Sequence, residues 1–283
     1  MTKRIKRRQF IQGISGLAGL GTLAGLYTWQ VEPFWLEFVK KKMLIQNLPD
    51  HLVGKTLVQI SDIHVGNRFD WQFLIDSFRE AQKFQPDFVV YTGDYVSYED
   101  EQQVYQLQEV LEHALIGTIG TFGILGNHDY GDDWADGKVA NAIANTLQQA
   151  GIQVLRNEQH SAQGLNFIGI DDYWGTNFRP ERVMTKYNSQ QANLVLCHNP
   201  DVCDLNVWNG YQGWILSGHT HGGQCKPPFL PPPLLPVDNR QYTAGEFNLN
   251  DGRTLYINRA LGHSWQVRFN VRPEITVFKL DQA

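Results

Sequence analysis

The sequence predicts a layered α/β fold: a sandwich of two mixed β-sheets packed face to face, with helices on the outside. Two observations predict it. Short apolar, β-branched runs recur beyond residue 50 and alternate with helical patterns. Most of these runs end abruptly in polar residues, as expected of buried strands whose carboxyl ends carry a site. The length of residues 37–283 suits one large domain better than two small ones.

Five apolar runs are predicted to be strands that end at a site. They are KTLVQI before SDIH, PDFVVYT before GDY, GTFGIL before GNHDYG, NLVLC before HNPD, and GWIL before SGHTHGG. Helices are predicted over residues 71–84, 102–115 and 138–150, with Asp70 capping the first and Asp136 the third. The segments LNFIGIDD, TLYINR and EITVFKL have less helix between them. They are predicted to form a second, more antiparallel sheet.

Residues 1–36 are predicted to be a targeting segment rather than part of the domain. An uncharged, glycine-rich apolar run follows the basic residues Lys3, Arg4, Lys6, Arg7 and Arg8. The stretch RRQFIQ resembles a twin-arginine export signal, no clear cleavage site follows, and three aromatic residues near position 30 suit a membrane interface. We expect a membrane-anchored or exported protein whose domain lies on the extracytoplasmic side of a bacterial inner membrane. The alternative is an ordinary buried helix.

Composition excludes some partners and leaves others open. The net charge of −5 gives no basic footprint for a nucleic acid. Three cysteines are too few for a disulfide framework, and although one pair could form, buried thiols are favoured at Cys197, Cys203 and Cys225.

The polar strand ends offer oxygen and imidazole ligands for metal ions. The candidates are Asp62, His64, Asp94, Asn127, His128, His198, His219 and His221. This donor set suits Mn²⁺, Fe or Zn²⁺ better than Ca²⁺. If these segments are extended, Asp62 and His64 point the same way, as do His219 and His221. So many ligands exceed the three of one catalytic zinc, which favours two divalent ions. Taken singly, each motif has a plainer explanation, such as a turn, a helix cap or a structural histidine.

The order Asp-x-His, Gly-Asp, Gly-Asn-His-Asp, His and Gly-His-x-His resembles the calcineurin-like metallophosphoesterase superfamily over about residues 50–280. The resemblance implies a β-sandwich with a two-metal site. The first metal would be held by Asp62, His64 and His221. The second would be held by Asn127, His198 and His219. Asp94 would bridge both ions, His128 would contact the phosphate or protonate the leaving oxygen, and Asp129 would orient His128.

The implied activity is hydrolysis of a phosphodiester or pyrophosphate bond by a hydroxide activated between two metals. The N-terminal segment, GIDD and the ending NRALGHS resemble the YkuE/YaeI-type subgroup, although Ala260 stands where glycine is usual. That subgroup implies an envelope or lipid-linked substrate, such as a UDP-2,3-diacylglucosamine-type molecule, and places Arg259 or Arg268 near the site. The alternatives are a cytoplasmic nucleotide phosphodiesterase or phosphomonoesterase, and a non-catalytic scaffold.

The loop CKPPFLPPPLLPV, residues 225–237, follows soon after the last site histidine, His221. Six of its residues are proline and four are Phe or Leu, so it is stiff and cannot enter a sheet. The loop is predicted either to border an acyl-chain groove at a membrane surface or to be a rigid connector. Around the histidines, Gly218, Gly222 and Gly223 are expected to permit a tight turn and to leave room for a phosphate.

Overall fold

Within residues 7–283, which the computed structural model describes, twelve strands form two six-stranded sheets. The order in the first sheet is β1 (Glu37–Ile45), β12 (Glu274–Gln282), β2 (Thr56–Ile60), β3 (Phe88–Thr92), β4 (Gly120–Ile124) and β5 (Gln153–Val154). The order in the second is β10 (Gly245–Asn248), β11 (Arg253–Ile257), β9 (Gly213–Ser217), β8 (Ala192–Cys197), β7 (Leu165–Ile170) and β6 (Glu158–Ala162). Both sheets are mixed, which confirms the predicted fold class.

The membership of the sheets differs from the prediction. β7 and β11 do lie in the second sheet, but they flank β8 and β9, which were not assigned to it. EITVFKL forms most of β12, which lies in the first sheet between β1 and β2. The central strands β7, β8, β9 and β11 are parallel to one another, and only the edge strands β6 and β10 pair antiparallel with them.

Five α-helices are described: α1 (Arg7–Leu26), α2 (Gln72–Ala81), α3 (Gln102–Leu111), α4 (Gly137–Gln149) and α5 (Glu181–Met184). The helices α2 to α4 match the predicted ones, although α3 ends four residues early. Asp136 caps α4, since its carboxylate accepts hydrogen bonds from Lys138 N at 2.7 Å and Val139 N at 3.4 Å. The carboxylate of Asp70 accepts from Gln72 N at 2.9 Å, where α2 begins.

Three apolar layers hold the sandwich together. Between the sheets, side chains such as Phe122 of the first sheet and Phe167 of the second stack with ring centroids 4.2 Å apart. Helices α2 to α4 cover the outer face of the first sheet, and α5 with long loops covers that of the second. β2, β3, β7 and β8 are buried along their whole length, as their continuous apolar runs predict.

The chain reaches the first sheet through two short turns. After α1 come a π-helical turn (Tyr27–Val31) and a 3₁₀ turn (Glu32–Phe34), and β1 begins at Glu37. Lys3, Arg4 and Lys6 of the predicted basic cluster lie outside the described residues. Among the described residues, no helix has both the length and the hydropathy needed to cross a membrane. The export signal, the anchor and the boundary at residue 36 stay predictions.

Candidate metal centre

Five strand ends bring the predicted ligands together at one edge of the sandwich. β2, β3 and β4 are parallel neighbours in the first sheet, and β8 and β9 are parallel neighbours in the second. Gln59 ties the sheets together here: its Nε2 donates to Ser217 O at 3.0 Å and to Thr92 Oγ1 at 3.1 Å. The buried Asp and His side chains form two groups that share Asp94.

The first group consists of Asp62, His64, Asp94 and His221, all buried, with one ligand atom of each within 4.8 Å of the others. His221 Nε2 lies 3.2 Å from Asp62 Oδ1 and 3.0 Å from His64 Nε2. His64 Nε2 in turn lies 3.7 Å from Asp94 Oδ2. Two carboxylate oxygens and two imidazole nitrogens that converge in this way fit a divalent ion.

The second group consists of Asp94, His198 and His219, whose ligand atoms are equally close together. His198 Nε2 lies 3.2 Å from Asp94 Oδ2, and Asp94 Oδ1 accepts a hydrogen bond from His128 N at 2.9 Å. Asn127 precedes His128 in the chain, and its buried Oδ1 has no hydrogen-bond partner within residues 7–283. A buried, unpaired carbonyl oxygen is costly, and binding of a cation would remove that cost.

Hydrogen bonds to the far nitrogen of three histidines fix which nitrogen faces the site. His198 Nδ1 lies 2.6 Å from Thr92 O, His219 Nε2 lies 2.8 Å from Pro236 O, and His221 Nδ1 lies 3.0 Å from Gln224 Oε1. A carbonyl oxygen can only accept, so each of these nitrogens carries the proton. In the neutral ring the opposite nitrogen keeps its lone pair, and this is the arrangement that metal-binding histidines adopt.

The ligands lie on sharply turned backbone rather than on extended strand. β2 ends at Ile60 and β9 at Ser217, so the expectation of extended i and i+2 pairs is wrong. Five ligands instead have positive φ: Asp62 at 52°, His64 at 48°, Asp94 at 55°, His219 at 71° and His221 at 51°. Left-handed backbone at non-glycine residues costs roughly 1–3 kcal/mol each and is concentrated at functional sites.

The glycines of GHTHGG permit the expected tight turn, since φ is 61° at Gly222 and 78° at Gly223, but two of them do not leave the expected room for a phosphate. A Cβ on Gly218 would overlap Ser61 Oγ and Asp62 Oδ2, so this glycine makes room for the ligand carboxylate. Asp62 then accepts from His219 N through both oxygens, at 3.0 and 3.1 Å. Gly223, with φ of 78°, lies so close to Pro232 that a side chain would collide with it. The space beside Gly218 and Gly223 is therefore filled by other groups of the protein and is not left for a phosphate.

The structure separates the predicted roles of His128 and Asp129. The His128 ring is half-buried and lies 5.1 Å from that of His64, between centroids, so it borders the first group. The hydrogen bonds of the Asp129 carboxylate go to the backbone N–H groups of Asp94, Tyr95, Val96 and Gly126. No hydrogen bond joins Asp129 to the His128 side chain among the described residues. Asp129 therefore fixes the loops after β3 and β4, and the expectation that it orients His128 is wrong.

Groups of the protein hold both arginines near the chain end. All five N–H donors of the buried Arg268 are used by His263 Nδ1 and by the backbone oxygens of Arg259, Ala260, Gly262 and Val271. Arg259 pairs with Glu274 at 2.5 Å and with Glu37 at 2.9 Å. Both arginines hold the tail of the chain in place. Ala260 has a φ of 70°, which explains why glycine is usual at this position.

The electrostatics keep most of the ligand set in the protonation states that metals require. Burial lowers the pKa of His219 to about 3 and that of His64 well below its ordinary value, so both rings are neutral. Burial opposes ionisation of Asp94, but the positive charge of His198 outweighs it and holds the Asp94 pKa well below its ordinary value. Burial also lowers the pKa of His198, yet the charge of Asp94 raises it far more. A divalent ion would compete with the proton that His198 then carries.

A groove of about 400 Å³ adjoins both histidines of GHTHGG. Its walls include Leu234 and Leu235 of the proline-rich loop, and Trp265 from the segment after β11. Arg240 lies in the same groove and is held by the loop, because its Nη1 donates to Leu235 O at 3.3 Å and its Nη2 to Pro233 O at 3.1 Å. The groove thus combines apolar walls, a guanidinium and access to the metal ligands.

Several neighbours of the site were missed by sequence reasoning. Gln224, one residue beyond GHTHGG, makes four side-chain hydrogen bonds: it accepts from His221 Nδ1 and Ser264 N, and donates to Trp265 O and Val267 O. Asp172, the last residue of GIDD, is buried near His198, and burial raises its pKa to about 7. GIDD at a strand end was the available signal for Asp172, whereas nothing in the pattern distinguished Gln224.

Two tryptophans also border the site. The ring of Trp174 lies 4.5 Å from that of His219, between centroids, and that of Trp134 lies 6.1 Å from that of His128. The two indoles stack on one another with centroids 5.0 Å apart. Because Trp134 and Trp174 lie far from GHTHGG in the chain, the sequence pattern could not predict this contact.

The fold and the buried Asp/His cluster agree with a match between residues 55–223 and the model of the calcineurin-like phosphoesterase family. The chain belongs to this family, and it is a metallophosphoesterase, a hydrolase of phosphoester bonds. The ordered motifs therefore identified the family correctly. The donor set fits divalent metal ions, while the role of each site residue and the identity of the metals stay predictions.

Among individual proteins, the chain is 30% identical to the uncharacterized metallophosphoesterase YkuE of Bacillus subtilis, over 98% of both chains. It is 28% identical to the phosphodiesterase YaeI of Escherichia coli, over 98% of this chain and 99% of that one. It is 27% identical to the UDP-2,3-diacylglucosamine pyrophosphatase LpxG of Chlamydia trachomatis, over 90% of this chain and 94% of that one.

Proposed function

We propose that this metallophosphoesterase hydrolyses a phosphodiester or pyrophosphate bond with two divalent ions. The observation that carries the proposal is the pair of buried ligand groups that share Asp94. Asp62, His64 and His221 would hold one ion, and Asn127, His198 and His219 the other, with Asp94 between them. Such ions, when bound, supply Lewis acidity to the phosphoryl oxygens and lower the pKa of an attacking water.

The protein's own groups would position the substrate and move one proton. His128 is the half-buried imidazole at the edge of the first group, so it can contact a phosphoryl oxygen or protonate the leaving oxygen. Asn127 offers a neutral oxygen, which leaves the positive charge of the centre less compensated than a carboxylate would.

A lipid-linked substrate fits the groove beside the histidines. Its walls at Leu234, Leu235 and Trp265 suit an acyl chain, and Arg240 suits a second phosphate or another anionic group. The names of the two characterised relatives, a phosphodiesterase and a pyrophosphatase that acts on a diacylated UDP-sugar, point to the same bond types. Together these observations favour a diester or pyrophosphate in the cell envelope over a soluble monoester.

Replacement of Leu234 by serine tests the choice of substrate. Leu234 is 79% exposed, so the change should not unfold the domain, whereas the neighbouring Leu235 is buried. We expect at least a tenfold loss of kcat/KM on a lipid phosphodiester and little change on bis-p-nitrophenyl phosphate. Equal losses on both substrates would mean that the groove does not select a lipid.

We propose that the domain acts on the outer face of the inner membrane, since RRQFIQ and the apolar run suggest export or anchoring. Cell fractionation tests the location: recovery of the protein in the soluble cytoplasm would contradict it.

A nucleotide substrate is the second candidate. The stacked indoles of Trp134 and Trp174 lie beside His128 and His219, and such a surface suits a planar base. A panel that compares a lipid diester, a UDP-sugar lipid, a cyclic nucleotide and a monoester under Mn²⁺ separates the two candidates by kcat/KM.

A further inference from the structure

We propose that an apolar rim around the groove contacts the interfacial region of an anionic lipid bilayer. The apolar rim consists of Trp29, Phe229, Leu230, Leu234, Trp265 and Val267. This proposal rests on the proposed function, because it states how a lipid substrate would reach the metal centre.

The rim residues are exposed although they are apolar. Phe229 is fully exposed, and Trp265 is 73% exposed. Large exposed apolar residues that occur together mark an interaction surface, whereas single ones carry little meaning. Tryptophan is also the side chain most suited to the boundary between lipid and water.

Three segments that are distant in sequence form one continuous surface. The segment after β11 lies between the other two: Arg268 N donates to Thr28 O at 2.9 Å, and Gln266 Nε2 donates to Trp29 O at 3.0 Å. On its other side, Lys226 N donates to Phe269 O at 2.8 Å. Residues 27–36, 225–237 and 262–272 are therefore adjacent, and the rim residues they carry belong to one patch.

The charge of this surface fits an anionic partner. Across the three segments the only acidic residue is Glu32, which is buried and accepts from Val271 N. The cations Lys226 and Arg272 lie in the same segments, and Arg240 lies in the groove. The whole chain carries a net charge of −5, so the absence of exposed acid here is local. A cationic, apolar surface is attracted to anionic headgroups.

The rim continues into α1. Leu17, Leu20, Leu23 and Leu26 of that helix are all exposed, so α1 adds further exposed apolar side chains just before Trp29 in the chain. Gln224 connects the rim to the metal centre, since its amide bonds the carbonyls of Trp265 and Val267 on one side and His221 on the other. A bilayer at the rim would thus lie at the mouth of the groove.

Fluorescence quenching by bromolipids tests the contact directly. The full-length chain is mixed with vesicles of phosphatidylcholine and phosphatidylglycerol brominated on their acyl chains. The Trp265 signal is obtained as the difference between the wild type and Trp265→Phe. We expect the Trp265 signal to be quenched, and at least half of the quenching to be lost in the triple variant Phe229→Ser, Leu230→Ser, Val267→Ser.

A matched control carries the same number of serines at exposed apolar positions outside the rim: Val53→Ser, Tyr105→Ser, Ile116→Ser. It should be quenched like the wild type. An unquenched Trp265 signal in the wild type, or equal quenching in the two triple variants, overturns the proposal. Quenching that is as strong with pure brominated phosphatidylcholine contradicts the anionic preference.

Hydrolysis of bis-p-nitrophenyl phosphate by the same preparations separates this proposal from the proposed function. That soluble diester needs the metal centre but no bilayer. Intact hydrolysis without quenching would contradict the membrane contact of the rim and support the proposed hydrolysis. Quenching without any hydrolysis would support the membrane contact of the rim and contradict the proposed hydrolysis.

Discussion

At the scale of single residues, the chemistry of this site depends on protons fixed by groups outside the ligand set. His198, His219 and His221 each carry a proton on the nitrogen that faces the protein, so the other nitrogen faces the site; at His198 a metal would have to displace a second proton there. Gln224 does this for His221 and holds the groove wall at the same time. Such outer contacts typically affect metal affinity about 10–100-fold.

Replacement of Gln224 by methionine should therefore weaken Mn²⁺ binding about 10–100-fold, because the His221 ring loses the acceptor that orients it. Calorimetric titration of the apo protein with Mn²⁺ measures the loss. Gln224→Glu keeps an oxygen acceptor for His221 and should bind Mn²⁺ more tightly than the methionine variant. An unchanged Kd in the methionine variant would show that Gln224 does not position His221.

Residue contacts were the least predictable part of the site. The motif NHD places Asp129 beside His128 in the chain, yet the Asp129 carboxylate turns to four backbone N–H groups. Similarly, the subgroup resemblance places Arg259 or Arg268 near the site, but hydrogen bonds and ion pairs hold both guanidinium groups within the protein. Sequence order shows which groups share a loop, and it does not show where each side chain points.

At the scale of elements, the strand ends had to be brought very close together. Gly218 permits this at the end of β9, where it lies against Ser61 and Asp62. The apolar runs predicted β2, β3, β4, β8 and β9, and with them the location of the site, because parallel neighbours align their carboxyl ends. The positive φ values beyond those ends could not be predicted, since they depend on contacts between the two sheets.

Gly218→Ala should destabilise the domain by about 1–3 kcal/mol, because an added methyl group cannot fit against the Asp62 carboxylate. Urea unfolding of the apo protein measures the free energy of unfolding. Gly137→Ala is the control: no heavy atom lies within 4 Å of the added Cβ at the start of α4. That variant should be neutral or slightly more stable. If both alanine variants unfold at the same urea concentration, the close contact at Gly218 does not affect the free energy of unfolding.

The edge strand β1 was missed for a physical reason. It carries Lys40, Lys41 and Lys42, and charged side chains are typical of sheet edges, where they prevent pairing with another chain. Lys41 pairs with Glu246 at 2.8 Å and Lys42 with Asp281 at 2.7 Å. Apolar periodicity cannot identify such a strand, because its position follows from pairing with β12 at the far end of the chain.

At the scale of the whole molecule, the metal centre joins the two halves of the sandwich. The candidate ligands follow β2, β3 and β4 in one sheet and β8 and β9 in the other. A ligand that binds only the folded state stabilises it by an amount that grows with concentration, about 2.7 kcal/mol at 100 times Kd. Metal ions held between the sheets would therefore stabilise the entire domain.

Chelation should lower the melting temperature by several degrees, and addition of Mn²⁺ should restore it. Thermal unfolding followed by circular dichroism measures this change. The restoring effect should shrink at acid pH, because protons compete for the imidazole ligands. A melting temperature that does not respond to chelator or to Mn²⁺ would mean that no ion joins the sheets.

The most direct test of the account is metal-dependent hydrolysis of bis-p-nitrophenyl phosphate by the chelated, Mn²⁺-reloaded full chain, with Asn127→Ala and His219→Ala measured beside the wild type. If two metal ions carry the reaction, chelation abolishes turnover, Mn²⁺ restores it, and each substitution lowers kcat by about 100-fold or more. Turnover that survives chelation, or that is intact in both variants, would contradict a two-metal phosphoesterase site.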